Sequence, residues 1–150
     1  MEAKNMNLTK LKEQLLETGK SIGLQVQEEN AQSISLHAQI VAKDYFENSI
    51  YCNLTIFESG TFHMFLTFDE IEKTYDNLFL INHFNAEHPW FKAYISNIND
   101  KDYLELHYAT LKLNDEKEVI DAVGYLMNNI LKEETLNILK PIIASSKEIN

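Results

Sequence analysis

The sequence predicts an α+β domain: an antiparallel sheet with an N-terminal helix, a middle helix and a long C-terminal helix. The expected order is helix, three or four strands, helix, two strands, helix. Three observations carry this. Apolar residues recur at helical spacing near both ends and in the middle of the chain, and with a period of two between those segments. The short polar segments Glu58-Ser59-Gly60 and Asn99-Asp100 join neighbouring period-two runs, and only antiparallel strands close over so few residues. Finally, 150 residues with two prolines, four glycines and no repeat or linker offer no place to divide, so residues 1–150 read as one domain.

Leu8, Leu11, Leu15, Leu16 and Ile22 fall on one side of a helical wheel, opposite Lys10, Lys12, Glu13 and Glu17, which predicts an amphipathic helix over 7–21. Gly19 and Gly23 mark its end. Leu24 and Val26 then alternate with glutamines, and Ile34, Leu36, Ala38 and Ile40 alternate with Ser35, His37, Gln39 and Val41. A third strand carries Ile50, Cys52, Leu54 and Ile56; a fourth carries Phe62, Met64, Leu66 and Phe68.

Parity decides how those last two strands pair. A two-residue turn at Ser59-Gly60 sets Ile56 against His63 and Leu54 against Phe65, mixing the faces. A three-residue loop with Gly60 in the left-handed conformation pairs Ile56 with Phe62, Leu54 with Met64, Cys52 with Leu66 and Ile50 with Phe68. One face then becomes wholly apolar, so this register is the expected one.

Residues 70–87 read as a second helix, with Ile71, Tyr75, Leu78 and Phe79 on one face and Leu80, Ile81 and Phe84 widening it, so that cover on more than one side is expected; Pro89 ends it. Strands near Trp90–Asn97 and Tyr103–Leu111 follow. With Asn99-Asp100 as the turn, Ile95 meets Leu104, Ala93 meets Leu106 and Phe91 meets Tyr108, while Lys92/His107 and Tyr94/Glu105 share the other face. The last helix has Asp115 as cap, Glu118 completing a capping box, and a stripe of Val119, Val123, Leu126, Met127, Ile130 and Leu131. Pro141 is expected to kink or end it, with Leu136, Leu139, Ile142 and Ile143 in a further apolar segment.

Charge narrows the function. Against 23 acidic residues stand 13 basic ones, all lysine, giving a formal net charge of −10. Without arginine there is no fork for bidentate phosphate or base-edge contacts, and the net charge repels a polyanion, so nucleic acid is not expected as a partner. The composition, with 15 asparagines and 15 isoleucines, equally fits an AT-rich genome as the source of the missing arginines. The first ten residues lack the apolar core of a signal peptide and no apolar run is long enough to span a bilayer, so the expected location is the cytoplasm, with no membrane partner. Single Cys52 suits a reducing compartment.

The chemistry-bearing residues read mostly as structural. Cys52 lies in the apolar series of its strand, where a thiol is protonated and inert. His83 and His88 are five apart, a poor match to two ligands on one helical face, and no metal or cofactor is expected. No phosphate loop, nucleophile elbow or dinucleotide fingerprint appears, so catalysis has no positive support. An enzyme would require His63, His107 and a carboxylate to converge in a cleft. The aromatic residues are the more informative set. Tyr51, Phe57 and Phe65 stand opposite the apolar series, and Tyr94 and Tyr103 do the same on the later hairpin. A face so furnished is either covered by the chain's own helices or offered to a partner.

The segment LFLINHFNAEHPWFKAYISNINDKDYLELHYATL, residues 78–111, runs from an asparagine-bearing helix through Pro89 to an aromatic-led strand, a polar turn and a second strand. In this segment and in element order along most of its length, the chain resembles the YbjN-like, type III secretion chaperone-like fold family. The resemblance implies an α+β sheet with helices at one side, frequent dimerisation and protein binding in place of catalysis; none of the matching positions is a chemical motif. The expected function is therefore a small acidic, non-catalytic, chaperone-like module that holds a protein partner, as a homodimer. Its expected interaction surface comprises Tyr51, Phe57, Phe65, Tyr94, Tyr103, Leu126 and Ile130. The alternative is an acidic inhibitor or immunity-type protein that neutralises a basic toxin or nuclease.

Overall fold

A computed structural model describes residues 5–148, with side chains through residue 143. The order of elements is α1 (Leu8–Thr18), a 3-10 turn (Lys20–Ile22), β1 (Gln25–Glu29), β2 (Ser33–Ile40), β3 (Ile50–Phe57), β4 (Phe62–Glu70), α2 (Tyr75–Glu87), β5 (Lys92–Ile98), β6 (Lys101–Ala109), α3 (Glu116–Ile130) and α4 (Glu133–Glu148). All six strands join one antiparallel sheet in the order β1-β2-β3-β4-β6-β5. Antiparallel neighbours and flanking helices make the chain α+β, as its periodicity predicts.

The expected registers form where a short turn fixes them. Ile56 pairs with Phe62, Leu54 with Met64 and Cys52 with Leu66, and Gly60 closes the loop at φ 98°. A side chain at Gly60 would also collide with the Leu113 carbonyl, 2.5 Å from where its Cβ would lie. In the second hairpin Ile95 pairs with Leu104 and Ala93 with Leu106; Asn99 (φ 52°) and Asp100 (φ 64°) form the left-handed pair of a type I′ turn. Phe91 lies just before β5 and meets Tyr108 ring to ring, 6.2 Å between centroids, in place of a ladder pairing.

One side of the sheet carries the core. Ile34, Leu36, Ile56, Phe62, Met64, Leu66, Leu104 and Leu106 are all buried there, in a single cluster with Leu11 and Leu15 of α1, Ile81 and Phe84 of α2, Val119 and Leu126 of α3, and Leu139 of α4. The helices therefore share one face of the sheet. Asp115 caps α3, accepting from the Glu118 backbone N–H at 2.9 Å; Glu118 reaches back one residue beyond the usual box, accepting from the Asn114 N–H at 2.8 Å.

The helices also correct several expectations. β4 runs on to Glu70, so α2 begins only at Tyr75, with Thr74 as its cap. Its buried face is Asn77, Ile81 and Phe84, leaving Tyr75 and Phe79 92% and 72% exposed. Asn77 tolerates burial because its side chain donates to the Glu72 carbonyl at 2.7 Å, tying down the turn between β4 and α2. The long C-terminal helix is two. It breaks at Leu131–Lys132, where the Thr135 hydroxyl donates to the Asn129 carbonyl at 2.9 Å, and Pro141 sits inside α4. No described helix is long and apolar enough to cross a membrane.

Candidate functional site

On the face away from the helices, the open face, alternate residues of the strands remain half-buried, and no buried residue of a described helix packs there. The registers arrange them in rows. Gln25, His37, Asn53, Phe65, His107 and Lys92 form one row across all six strands; Gln39, Tyr51, Thr67, Glu105 and Tyr94 form the next.

Chemistry divides this face in two. Over β1, β2 and the middle of β3 it is a polar network: the Ser35 and Thr55 hydroxyls bond at 2.8 Å, Thr55 donates to the Asn53 Oδ1 at 3.2 Å, and Asn53 Nδ2 donates to the Gln27 Oε1 at 2.7 Å. Over β4, β5 and β6, and at Tyr51 and Phe57 near the two ends of β3, it is aromatic. Phe65 stacks on His107 with centroids 4.3 Å apart and planes within 6°. Phe57 meets His63 edge to face at 6.0 Å, and Tyr51 meets His37 similarly at 6.1 Å.

His63 and His107 are 44 positions apart in sequence, yet the His63 Nδ1 lies 3.0 Å from the His107 Nε2. Their planes agree within 4° and their centroids are 5.2 Å apart. That separation nearly equals the nitrogen distance plus two ring radii, so the rings lie edge to edge, not one above the other. One ring donates its N–H and the other accepts. Protonating both rings would place a hydrogen on each facing nitrogen and abolish the bond. The His107 imidazole is held below its usual pKa by burial first, then by His63 and Lys92, with Glu105 opposing.

Glu105 is 8% exposed and faces the same side. It accepts a hydrogen bond from the Tyr94 hydroxyl at 2.8 Å; burial and this carboxylate raise the pKa of the phenol. Of the arrangement an enzyme would require, the two imidazoles therefore do converge, but the neighbouring carboxylate is engaged by Tyr94, and the setting is an open sheet face instead of a cleft. Among the described residues no three or more His, Cys, Asp or Glu side chains are grouped to hold a metal ion.

Tyr51, Phe57, Phe65, Tyr94 and Tyr103 all lie half-buried on this face. Leu126 and Ile130 do not belong with them. Each is 2% exposed in the core beneath α3, because the apolar stripe of that helix is consumed in covering the sheet. The imidazole pair was not foreseeable from spacing. Alternation places His63 and His107 on one face, but only the adjacency of β4 and β6 brings them together. Cys52 is buried at the opposite face, its thiol pushed up to about 12 by desolvation. No family model matches the chain, and neither a curated protein nor a solved structure matches it.

Proposed function

We propose that the protein is a non-catalytic, chaperone-like protein-binding module of the cytoplasm, working as a homodimer, with the aromatic half of the open sheet face as its contact surface. The observation that carries this is the half-exposure of Tyr51, Phe57 and Phe65 on a face left bare by the helices. Flat rigid rings give large contact area at small entropic cost, and aromatic residues are enriched in the centres of protein interfaces. The resemblance in element order to YbjN-like, type III secretion chaperone-like proteins points the same way.

A photo-crosslinking residue in place of Phe57 is expected to capture a discrete protein, either a second copy or a partner, whereas one in place of exposed Asp121 on α3 captures none. Sedimentation of the wild type should show a dimer that the Phe57→Ser, Phe65→Ser double variant loses while remaining folded. Identical crosslinking at both positions, together with a wild type that sediments as a monomer, would sink the reading.

The charge of −10 and the wholly exposed β1 strand with Glu28 and Glu29 favour a second reading, an acidic inhibitor of a basic toxin or nuclease. It requires an association rate that falls steeply with added salt. A rate insensitive to salt removes it.

A further inference from the structure

Between α1 and α3, above the sheet, lies a cavity of ≈280 Å³. Its floor is Leu15, Cys52, Leu54 and Met64, and its mouth carries the neutral polar residues Thr18, Ser21 and Asn128. Water is poorly served at such a floor, since an internal water needs two to four polar partners. The Cys52 thiol adds no charge, for desolvation keeps it protonated.

Gly124 supplies the second observation. It sits in the interior of α3, where glycine weakens a helix, and it lines this cavity. On the helical wheel it shares the flank of Met127, Asn128 and Leu131, the flank turned toward the cavity. Among the described residues a Cβ built there meets nothing within 4 Å, so their packing does not demand a glycine. At Gly19, across the mouth, the reverse holds: a Cβ would strike Leu24 at 2.7 Å. What the missing side chain at 124 leaves is space.

We propose that this cavity is a binding site for an alkyl or acyl chain with an uncharged polar end, the chain lying on Leu54 and Met64 and the polar end at Thr18, Ser21 and Asn128. A dry apolar cavity of roughly 150 Å³ accommodates benzene, so one of ≈280 Å³ takes a chain of about ten carbons. The neutral mouth and the acidic chain select against a carboxylate head. Binding here is independent of the open sheet face, on the opposite side of the sheet.

The test is titration of full-length protein, labelled with ¹³C in its methionine methyl groups, with 1-hexanol, 1-octanol and 1-decanol. The signals of Met64 and Met127, which line the cavity, should shift saturably, while that of Met6, packed beside Gly60, stays still. Affinity should rise about fourfold for each added methylene. Gly124→Leu should weaken 1-decanol binding at least tenfold with thermal stability undiminished, and Gly124→Ala should weaken it less. N-decanoylglycine amide is titrated in parallel: tighter binding than 1-decanol identifies an acyl chain carried on a peptide, weaker binding a free alkyl molecule. Shifts that fail to saturate, that include Met6 equally, or that persist unchanged in Gly124→Leu overturn the proposal.

Discussion

The two faces of the sheet are built from the same strands, yet they differ in what their side chains do. In β4, Phe62, Met64 and Leu66 are wholly buried against the helices, while His63, Phe65 and Thr67, one position along, are half-buried on the open face. The helix-covered face holds the fold together. The open face carries rings and imidazoles that touch across the strands but are only half-buried. A pair of phenylalanines in one strand measures the contrast. Phe62→Ala removes a ring that is 0% exposed and should cost about 3–5 kcal/mol. Phe65→Ala loses a cross-strand stack on a half-open surface and should cost only about 1 kcal/mol. Urea unfolding of both variants checks this, and equal losses would mean that the open face is as structural as the covered one.

The edge of the sheet sharpens the same contrast on a smaller scale. Ala93 of β5 is 2% exposed although β5 is the edge strand among the described residues. The Asn85 side chain from α2 stands in for a further strand, accepting from the Ala93 N–H at 2.7 Å and donating to the Ala93 carbonyl at 3.0 Å. β1, at the far edge, is exposed throughout and is guarded by a bulge and two glutamates, devices that deter pairing with other chains. Asn85→Ala should strand both Ala93 groups and cost about 1–3 kcal/mol. Glu28→Ala on β1 leaves no buried group unpaired and should change stability by under about 0.5 kcal/mol. Thermal denaturation that ranks the two variants the other way round would remove the asymmetry between the edges.

Where a local rule acts over a few residues, the sequence announces the structure. Gly60 selects the loop, Asn99-Asp100 the turn, and Asp115 the start of α3, and each sets the register or boundary around it. Where two solutions satisfy the same local rule, it does not. Helix α2 has apolar residues on both flanks, Tyr75, Leu78 and Phe79 on one and Ile81 and Phe84 on the other, so periodicity cannot say which flank meets the sheet. The break between α3 and α4 involves neither proline nor glycine; a bond from the Thr135 hydroxyl to the Asn129 carbonyl spans it, and Pro141 draws attention to the wrong place. The open-face aromatics were legible by alternation alone. The His63–His107 contact was not, because it depends on β6 lying next to β4, a pairing that no short turn enforces.

That contact yields the smallest effect and the most specific one. The ordinary imidazole pKa is 6.5, and His107 in the folded chain lies below it, because burial and the neighbouring His63 and Lys92 disfavour the cation and Glu105 compensates only in part. The unfolded chain therefore binds this proton at a pH where the folded chain still refuses it. Proton uptake then favours unfolding, so the contribution is fully present above pH 6.5 and is lost as pH falls from there through the folded pKa. His88, also lowered by burial, adds a loss of the same sign. His107→Gln removes one of the two titrations and keeps a hydrogen-bonding group opposite His63, so its stability should decline less steeply below pH 6.5 than that of the wild type. His63→Gln removes one of the neighbours that depress His107 and should flatten the decline less, since desolvation is the larger cause. Urea midpoints measured across this range in the three proteins decide the matter: parallel curves would mean that the imidazole pair is indifferent to protons, and the covered face alone would then set the acid response.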